Sequence, residues 1–166
     1  LPGAGGAIGT QAVARAEPDG HTWDLATISH IATPLFQPVA YDPIKDFTAA
    51  SLVGYGRAVA VVPMSSPVKT LKDLVALAKA KPGQLNYSSS GSAGSSHLAT
   101  EVFSLLADIR MQHIPYKGAA PALTDLVGGQ VQMLLSPPIN AAPFIKAGRL
   151  RALAISGSAR FPGLPQ

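Results

Sequence analysis

The sequence predicts an α/β fold in which a mostly parallel sheet carries helices on its faces. After residue 58, short β-branched or apolar runs alternate about four times with stretches whose apolar residues recur at helical spacing. This alternation is typical of α/β sheets, because a parallel strand needs a crossover, usually a helix, to return the chain. Glycine and proline contribute 16 and 15 of the 166 residues, and many of them stand at the boundaries between these runs.

Each element is bounded by such breaks. The predicted helices cover residues 8–16, 70–81, 96–107, 120–127 and 141–147, and the predicted strands cover 22–28, 59–62, 85–88, 111–116, 131–135 and 150–156. Residues 29–43 are rich in proline and are predicted to be irregular, with room for one short helix. Residues 47–53 are predicted to be extended. The change of texture near 54–57 marks a boundary between two lobes.

Two of the helices carry clear signals. Thr70 and Asp73 have the spacing of a capping box, and the apolar residues that follow recur along one face of the 70–81 helix. In the 96–107 helix, the larger apolar side chains share one side: Leu98, Val102, Leu105 and Leu106.

Composition excludes several classes of protein. Thirteen Lys and Arg against nine Asp and Glu give a net charge of +4 without a basic block, which gives little support to nucleic-acid binding. The longest apolar run, 58–64, is far short of the roughly 20 residues that span a membrane. The sequence has no Cys, which excludes disulfides and thiol catalysis, and its four His never stand four residues apart, which argues against a metal site.

Small residues dominate the loops that precede helices. Five such loops are expected at 3–6, 27–30, 88–96, 115–119 and 136–140. In an α/β sheet these loops gather at the carboxyl edge of the strands, where ligands bind. Since the first N–H groups of a helix lack intrahelical partners and the helix dipole is positive there, such an edge suits an anion.

The loop at 88–96 is the most informative of the five. It reads SSSGSAGSS, so it supplies hydroxyl and main-chain N–H groups with almost no side-chain bulk. The structural alternative is a flexible serine-rich surface loop. After the next strand, Lys117 either pairs with an anion or is simply solvated.

Other interpretations of these residues are weaker. The glycines at 3–9 lack the spacing and the preceding strand of a dinucleotide-binding loop. A serine hydrolase would use Ser92 or Ser90 with His97, but Ser90 stands where a nucleophile elbow around Ser92 needs glycine. A third alternative is an interaction module without a solute.

Two residues of the predicted strand 22–28 are singled out. Trp23 is expected in the core. Asp24 interrupts the apolar pattern, and it is expected either to face solvent on an edge strand or to pair with an arginine such as Arg15 or Arg57.

An ordered set of short motifs resembles one family over essentially the whole chain. The motifs are PGAGG at 2–6, AVAR at 12–15, PDG at 18–20, YDPIKDF at 41–47, ALAKAKPG at 76–83, LNYSS at 85–89, PYKG at 115–118, ALTDL at 122–126, GGQ at 128–130 and KAGRLRAL at 146–153. Together they resemble the Bug family, the TctC-like extracytoplasmic solute-binding proteins of tripartite tricarboxylate transporters.

The resemblance implies a type II periplasmic-binding fold with two α/β lobes that close on a ligand. It divides the chain into a partial first lobe (1–57), a second lobe (58–155) and the start of a return crossing to the first lobe (156–166). It further implies a periplasmic, non-enzymatic protein without cofactor or metal, which captures a small organic carboxylate and delivers it to a membrane permease. By match to the family's loops, the implied ligand contacts are Gly5, Gly6, Thr27, Ser29, Ser90, Gly91, Ser92, Gly94, Ser95, Ser96, Lys117, Gly118 and Ala119.

The chain also departs from the family pattern. Family members are longer at both ends, so this sequence is expected to be a fragment with an incomplete first lobe. Asp24 stands in a strand that is apolar throughout in the family, and His21 replaces a common tyrosine.

Overall fold

The computed structural model describes residues 6–158 and residue 161, and this part of the chain contains six helices and five strands. In chain order they are α1 (Ala7–Ala14), α2 (Ile28–Phe36), β1 (Val59–Pro63), α3 (Leu71–Ala80), β2 (Asn86–Ser89), α4 (Ser95–Ala107), β3 (Gln112–Pro115), α5 (Ala119–Val127), β4 (Met133–Ser136), α6 (Pro138–Lys146) and β5 (Leu150–Ile155).

The strands form one mixed sheet in the order β3-β2-β4-β1-β5. β2 is parallel to β3 and β4, whereas β1 is antiparallel to its neighbours β4 and β5. Four of the five strands therefore point the same way, which confirms the predicted α/β class. Because Val59 pairs with both Ser136 and Ile155, β1 begins at the edge where the other four strands end. We call this edge the carboxyl edge.

Alternation along the strands builds a core on each face of the sheet. Val61 and Leu134 pack with residues of α5 and α6, whereas their neighbours Val62 and Met133 pack with residues of α3. Successive side chains of a strand point to opposite faces, so the β-branched run of β1 is buried on both sides. The helices on the two faces fix where each strand-to-helix loop leaves the sheet.

Every helix and strand predicted after residue 58 is present, with ends shifted by a few residues. The capping box of α3 is formed: the Thr70 side chain accepts from the Asp73 N–H at 3.1 Å, and the Asp73 carboxylate accepts from the Thr70 N–H at 2.8 Å. The Asp73 carboxylate also accepts a hydrogen bond from the Lys69 N–H. This bond, followed by those with Thr70, lowers the pKa of Asp73.

The predicted strand at 22–28 is wrong. Ile28 already belongs to α2, and residues 22–27 pair with no strand among the described residues. Asp24 turns inward instead, where it accepts a hydrogen bond from the Thr10 hydroxyl at 3.4 Å and lies 3.1 Å from Nδ1 of His30. The other ring nitrogen of His30 lies 2.8 Å from the Pro43 carbonyl oxygen, so the imidazole joins three parts of the N-terminal segment.

The YDPIKDF motif at 41–47 surrounds this histidine. The Phe47 ring lies edge-on to His30 at 4.6 Å, and the Tyr41 hydroxyl donates to the His30 carbonyl at 3.5 Å. That carbonyl lacks its usual helical donor because residue 34 is proline, which has no N–H. Asp42 accepts main-chain hydrogen bonds from Ile44 and Lys45, which closes the turn inside the motif.

One apolar helix face is not buried, and one expectation about burial is wrong. The apolar side of α4 faces outward, with Val102, Leu105 and Leu106 exposed by 56, 80 and 82 %. The buried residues of this helix are Ser96, Thr100 and Ser104. Trp23 is 69 % exposed rather than in the core, because the strand that would bury it does not form.

Candidate functional site

Three strand-to-helix connections meet at the carboxyl edge. They are residues 90–94 between β2 and α4, residues 116–118 between β3 and α5, and Pro137 between β4 and α6. Main-chain hydrogen bonds join the first two, since the Tyr116 N–H donates to the Ser89 carbonyl at 3.0 Å and the Gly118 N–H to the Ser90 carbonyl at 3.2 Å. The parallel pairing of β2 with β3 and β4 thus brings two of the predicted binding loops into direct contact.

The helices that begin at this edge have uncapped N-termini. The N-cap residues of α4, α5 and α6 are Gly94, Gly118 and Pro137; none makes a side-chain cap hydrogen bond, and none of these helices has an acidic residue in its first turn. By contrast α3, which follows the reversed strand β1 and begins at the opposite edge, has both a capping box and an acidic residue. The first-turn N–H groups at the carboxyl edge are therefore left for a partner other than their own caps.

Residues 90–94 form a tight turn against the start of α4. Gly91 has φ 140° and Ala93 has φ 58°, so two residues of the turn lie at positive φ. The Gly94 N–H donates to the Gly91 carbonyl at 3.3 Å, and a Cβ at Gly94 would lie only 3.1 Å from that carbonyl oxygen. The two glycines are thus required by the turn itself.

The serines of this loop divide into exposed and internal groups. Ser90, Ser92 and Ser95 are exposed, whereas Ser96 is buried and its hydroxyl accepts from the Ser90 N–H at 3.1 Å. The Ser90 hydroxyl lies 3.3 Å from the Ser96 hydroxyl. The structure therefore gives Ser96 a role inside the loop, where the Ser90 hydroxyl contacts it, and leaves Ser92 and Ser95 as exposed residues.

Lys117 follows β3 beside this loop and is exposed. Within the described part of the chain, no carboxylate lies within ion-pair distance of it. Its neighbour Gly118 has φ 113°, a conformation that glycine adopts without strain, and Ala119 begins α5. The neighbouring Tyr116 donates to the Asp125 carboxylate at 2.7 Å, which raises the pKa of Tyr116 to about 12.

The predicted residues of the N-terminal segment form a second group. Gly6 is the N-cap of α1 with φ 100°, and Thr27 is the N-cap of α2. Both N-caps lie next to the Ser29 side chain. Ser29 Oγ is 2.7 Å from Thr27 Oγ1 and would be 3.7 Å from a Cβ at Gly6. Gly5 lies outside the described residues. Both helices again lack a side-chain cap and an acidic first turn.

A stack of aromatic rings behind the 90–94 loop is not predicted by the sequence. The rings of His97 and His113 lie 4.0 Å apart and nearly parallel, and Tyr87 stacks on His113 at 5.0 Å. Phe36 of α2 meets His97 edge-on at 5.8 Å, so the stack runs from β2 to the N-terminal segment. The only local signal is the alternation that points Tyr87 and Ser89 to one face of β2.

Burial and charge set the protonation of this stack. Burial, followed by the nearby His97, lowers the pKa of His113 to about 4, and Glu101 opposes this shift. Burial and a hydrogen bond to Glu101 raise the pKa of the Tyr87 hydroxyl. His113 and Tyr87 are therefore both neutral near pH 7.

The structure does not bring together the serine and histidine that the serine hydrolase interpretation requires. Nδ1 of His97 accepts from the Ala93 N–H at 3.1 Å, and the hydroxyl of Ser90 contacts Ser96 rather than a histidine. The serine that does contact a histidine is Ser89, whose Oγ lies 2.5 Å from Nε2 of His113, and it is fully buried. Among the described residues, no group of three or more His, Asp or Glu is placed to hold a metal ion.

Comparison with solved structures shows that this α/β fold is similar to that of periplasmic transport and binding proteins. A structure described as a periplasmic transporter matches 97 % of this chain with a TM-score of 0.89 and 40 % identity, and the match covers 55 % of that chain. R. palustris Rpa4515 with adipate matches 98 % of this chain with a TM-score of 0.90 and 32 % identity, covering 55 % of its own length. MatC from Rhodopseudomonas palustris with bound malate matches 96 % with a TM-score of 0.83 and 32 % identity, also over 55 % of its own length.

The chain belongs to the TctC family, described as the tripartite tricarboxylate transporter family receptor, whose model matches residues 1–166. A UPF0065 protein in the gbd 5′ region of Cupriavidus necator is 38 % identical over 99 % of this chain and 51 % of its own length. BugT of Bordetella pertussis is 36 % identical over 98 % of this chain and 52 % of its own length. The chain therefore spans about half the length of the curated relatives it matches, and the resemblance to the Bug family is confirmed.

None of the helices in the described residues is both long enough and apolar enough to cross a membrane.

Proposed function

We propose that the protein captures a small organic carboxylate in the periplasm, between two lobes, and passes it to the membrane permease of a tripartite tricarboxylate-type transporter. The observation that carries the proposal is the contrast between helix N-termini. Those of α4, α5 and α6 at the carboxyl edge are uncapped and without acid, whereas that of α3 at the other edge is capped. N–H groups in this arrangement attract an anion without needing many arginines or lysines.

The ligand contacts are proposed in two groups that correspond to the two lobes. In the lobe of residues 58–155, the carboxylate accepts hydrogen bonds from main-chain N–H groups at the starts of α4 and α5 (Ser92, Ser95, Ser96 and Ala119) and from the hydroxyls of Ser90, Ser92 and Ser95, with Lys117 adding a positive charge. Gly91, Gly94 and Gly118, whose own N–H groups are bonded within the loops, let the main chain approach the ligand closely. In the lobe of residues 1–57, the start of α1 at Gly6 and the hydroxyls of Thr27 and Ser29 face the ligand. Ser96 supports the loop from inside.

The proposed lobe boundary is supported by the main chain at the carboxyl edge, where β1 begins and β5 ends. The Ala58 N–H donates to the Ser156 hydroxyl at 2.9 Å, and the Ser156 N–H donates to the Ala58 carbonyl at 2.8 Å. The two segments thus leave the sheet side by side, as expected of paired crossings between lobes at 57 and 156. Two structural relatives with adipate and with malate support a carboxylate as the ligand class.

Isothermal titration calorimetry tests this proposal. The folded protein is titrated with adipate, malate and related mono- and dicarboxylates, and with hexamethylenediamine as a control of matched length and opposite charge. We expect at least one carboxylate to bind and the diamine not to bind. Silence across the carboxylates from a protein that melts cooperatively would contradict the proposal.

A further inference from the structure

Two stacked histidines hold opposite ends of the turn at 90–94. His97 acts directly, because its Nδ1 accepts from the Ala93 N–H at 3.1 Å. His113 acts through Ser89, whose hydroxyl oxygen lies 2.5 Å from Nε2 of His113. The same hydroxyl accepts from the Gly91 N–H at 3.2 Å, and its O–H donates to the Gly91 carbonyl at 3.1 Å.

These contacts fall on the two residues of the turn that lie at positive φ. Gly91 has φ 140°, and Ala93, although not glycine, has φ 58°. Non-glycine residues adopt such a conformation rarely, and it persists when surrounding contacts hold it in place. Ala93 is 2 % exposed, so its N–H needs a protein partner, and His97 is that partner.

Stacking fixes both imidazoles. Their centroids lie 4.0 Å apart at an interplanar angle of 15°, with Tyr87 beyond His113 and the edge of Phe36 against His97. Tyr87 is fully buried in the sheet and its hydroxyl donates to Glu101 of α4. The ring contacts therefore link the 90–94 turn to β2 and β3, which carry Tyr87 and His113.

We propose that His97 and His113 are positioning residues that set the main-chain geometry of 91–94 for carboxylate binding. The pair itself need not touch the ligand. His97 fixes Ala93, His113 fixes Gly91 through Ser89, and together they aim the N–H groups at the start of α4 outward. The identity of the ligand rests on the proposed function. The role of His97 and His113 in holding the turn, which we call the clamp, rests on their hydrogen bonds and ring contacts.

Substitutions at residue 97 separate the hydrogen bond from the ring. His97→Phe keeps a stacked ring but removes the acceptor, whereas His97→Asn removes the ring and keeps an acceptor oxygen near the position of Nδ1. The exposed His21 provides the control His21→Phe. The readouts are amide hydrogen exchange at Ala93 and affinity for adipate and malate.

We expect His97→Phe to speed amide hydrogen exchange at Ala93. It should also weaken binding of adipate or malate about tenfold, as for one lost hydrogen bond at a buried N–H. His97→Asn should recover most of both effects, and His21→Phe should change neither. In the unsubstituted protein, the ¹⁵N shift of His97 Nδ1 should be that of an unprotonated nitrogen accepting a hydrogen bond.

Three results would contradict the role of the two histidines, and a fourth would contradict the proposed function. Unchanged exchange and affinity in His97→Phe would overturn the proposal, and so would failure of His97→Asn to rescue. If His97→Phe does not fold, a protonated Nδ1 in the unsubstituted protein would overturn it. If neither probe binds but Ala93 exchange responds as expected, the clamp stands and the proposed function falls.

Discussion

Single residues at the carboxyl edge are held in conformations that their neighbours dictate. Gly91 and Ala93 lie at positive φ, Gly94 packs against the Gly91 carbonyl, and each has a defined partner in the stack or in the turn. Small side chains at these positions are therefore a consequence of close main-chain packing. The N–H groups of these residues are bonded within the loop, and the exposed residues of this segment are Ser92 and Ser95, where we propose that an anion approaches.

Gly94→Ala tests this argument at a single Cβ. Gly94 has φ −72°, which alanine adopts readily, but the new Cβ would lie 3.1 Å from the Gly91 carbonyl and must displace the turn. We expect affinity for adipate or malate to fall several-fold while the melting temperature changes by only a few degrees. The measurement is calorimetric titration beside thermal unfolding.

Gly128→Ala is the matched control. Gly128 has φ −74°, and its Cβ would make only ordinary contacts of 3.5 and 3.6 Å with carbonyl oxygens at the end of α5. It should leave affinity unchanged. Equal losses of affinity in the two variants would argue against a specific role for the 90–94 turn.

Helices and strands after residue 58 could be predicted because their signals are local. The β-branched run of β1, the capping box of α3 and the glycines after α5 each act within a few residues. The strand at 22–28 could not be rejected locally, because a strand also needs a partner and Asp24 finds its partners in Thr10 and His30. Likewise the apolar spacing of α4 does not reveal that its hydroxyl-bearing side faces the sheet.

The candidate site, like the fold, could be predicted from the sequence only in part. The small-residue loops and their meeting at one edge follow from the alternation of elements, and the structure brings the loops at 90–94 and 116–118 together. The histidine stack depends on parallel pairing that sets Tyr87 beside His113, a long-range register that spacing along the chain does not encode. The sequence therefore predicts the loop but not the histidine stack that holds it in place.

Thr70→Ala tests the contrast between capped and uncapped helices. It removes the acceptor for the Asp73 N–H in the capping box of α3. We expect the free energy of unfolding to fall by about 1 kcal/mol, the usual value of an N-cap, with no change in affinity for a carboxylate. Chemical denaturation and calorimetric titration measure the two quantities.

The control for Thr70→Ala is Thr124→Ala, which removes an exposed hydroxyl that donates to a carbonyl within α5. Its effect on stability should stay within about 0.5 kcal/mol. A cost at Thr70 no larger than at Thr124 would contradict the importance of the cap.

At the scale of the whole molecule, one reversed strand separates two kinds of helix start. Because β1 runs against the other four strands, α3 begins at the opposite edge from α4, α5 and α6. Capping chemistry follows this division: the helix away from the carboxyl edge carries its own acid, and those at the edge do not. The low proportion of charged residues, 13 %, fits an anion site built mainly from main-chain N–H groups.

The most direct measurement is amide NMR of the protein during titration with adipate and malate. The account predicts that at least one of them shifts the amide resonances of 91–96 and 118–119, while those of 71–73 at the capped start of α3 stay unchanged. Saturating shifts at 71–73, or none at 91–96 in the presence of bound carboxylate, would contradict it.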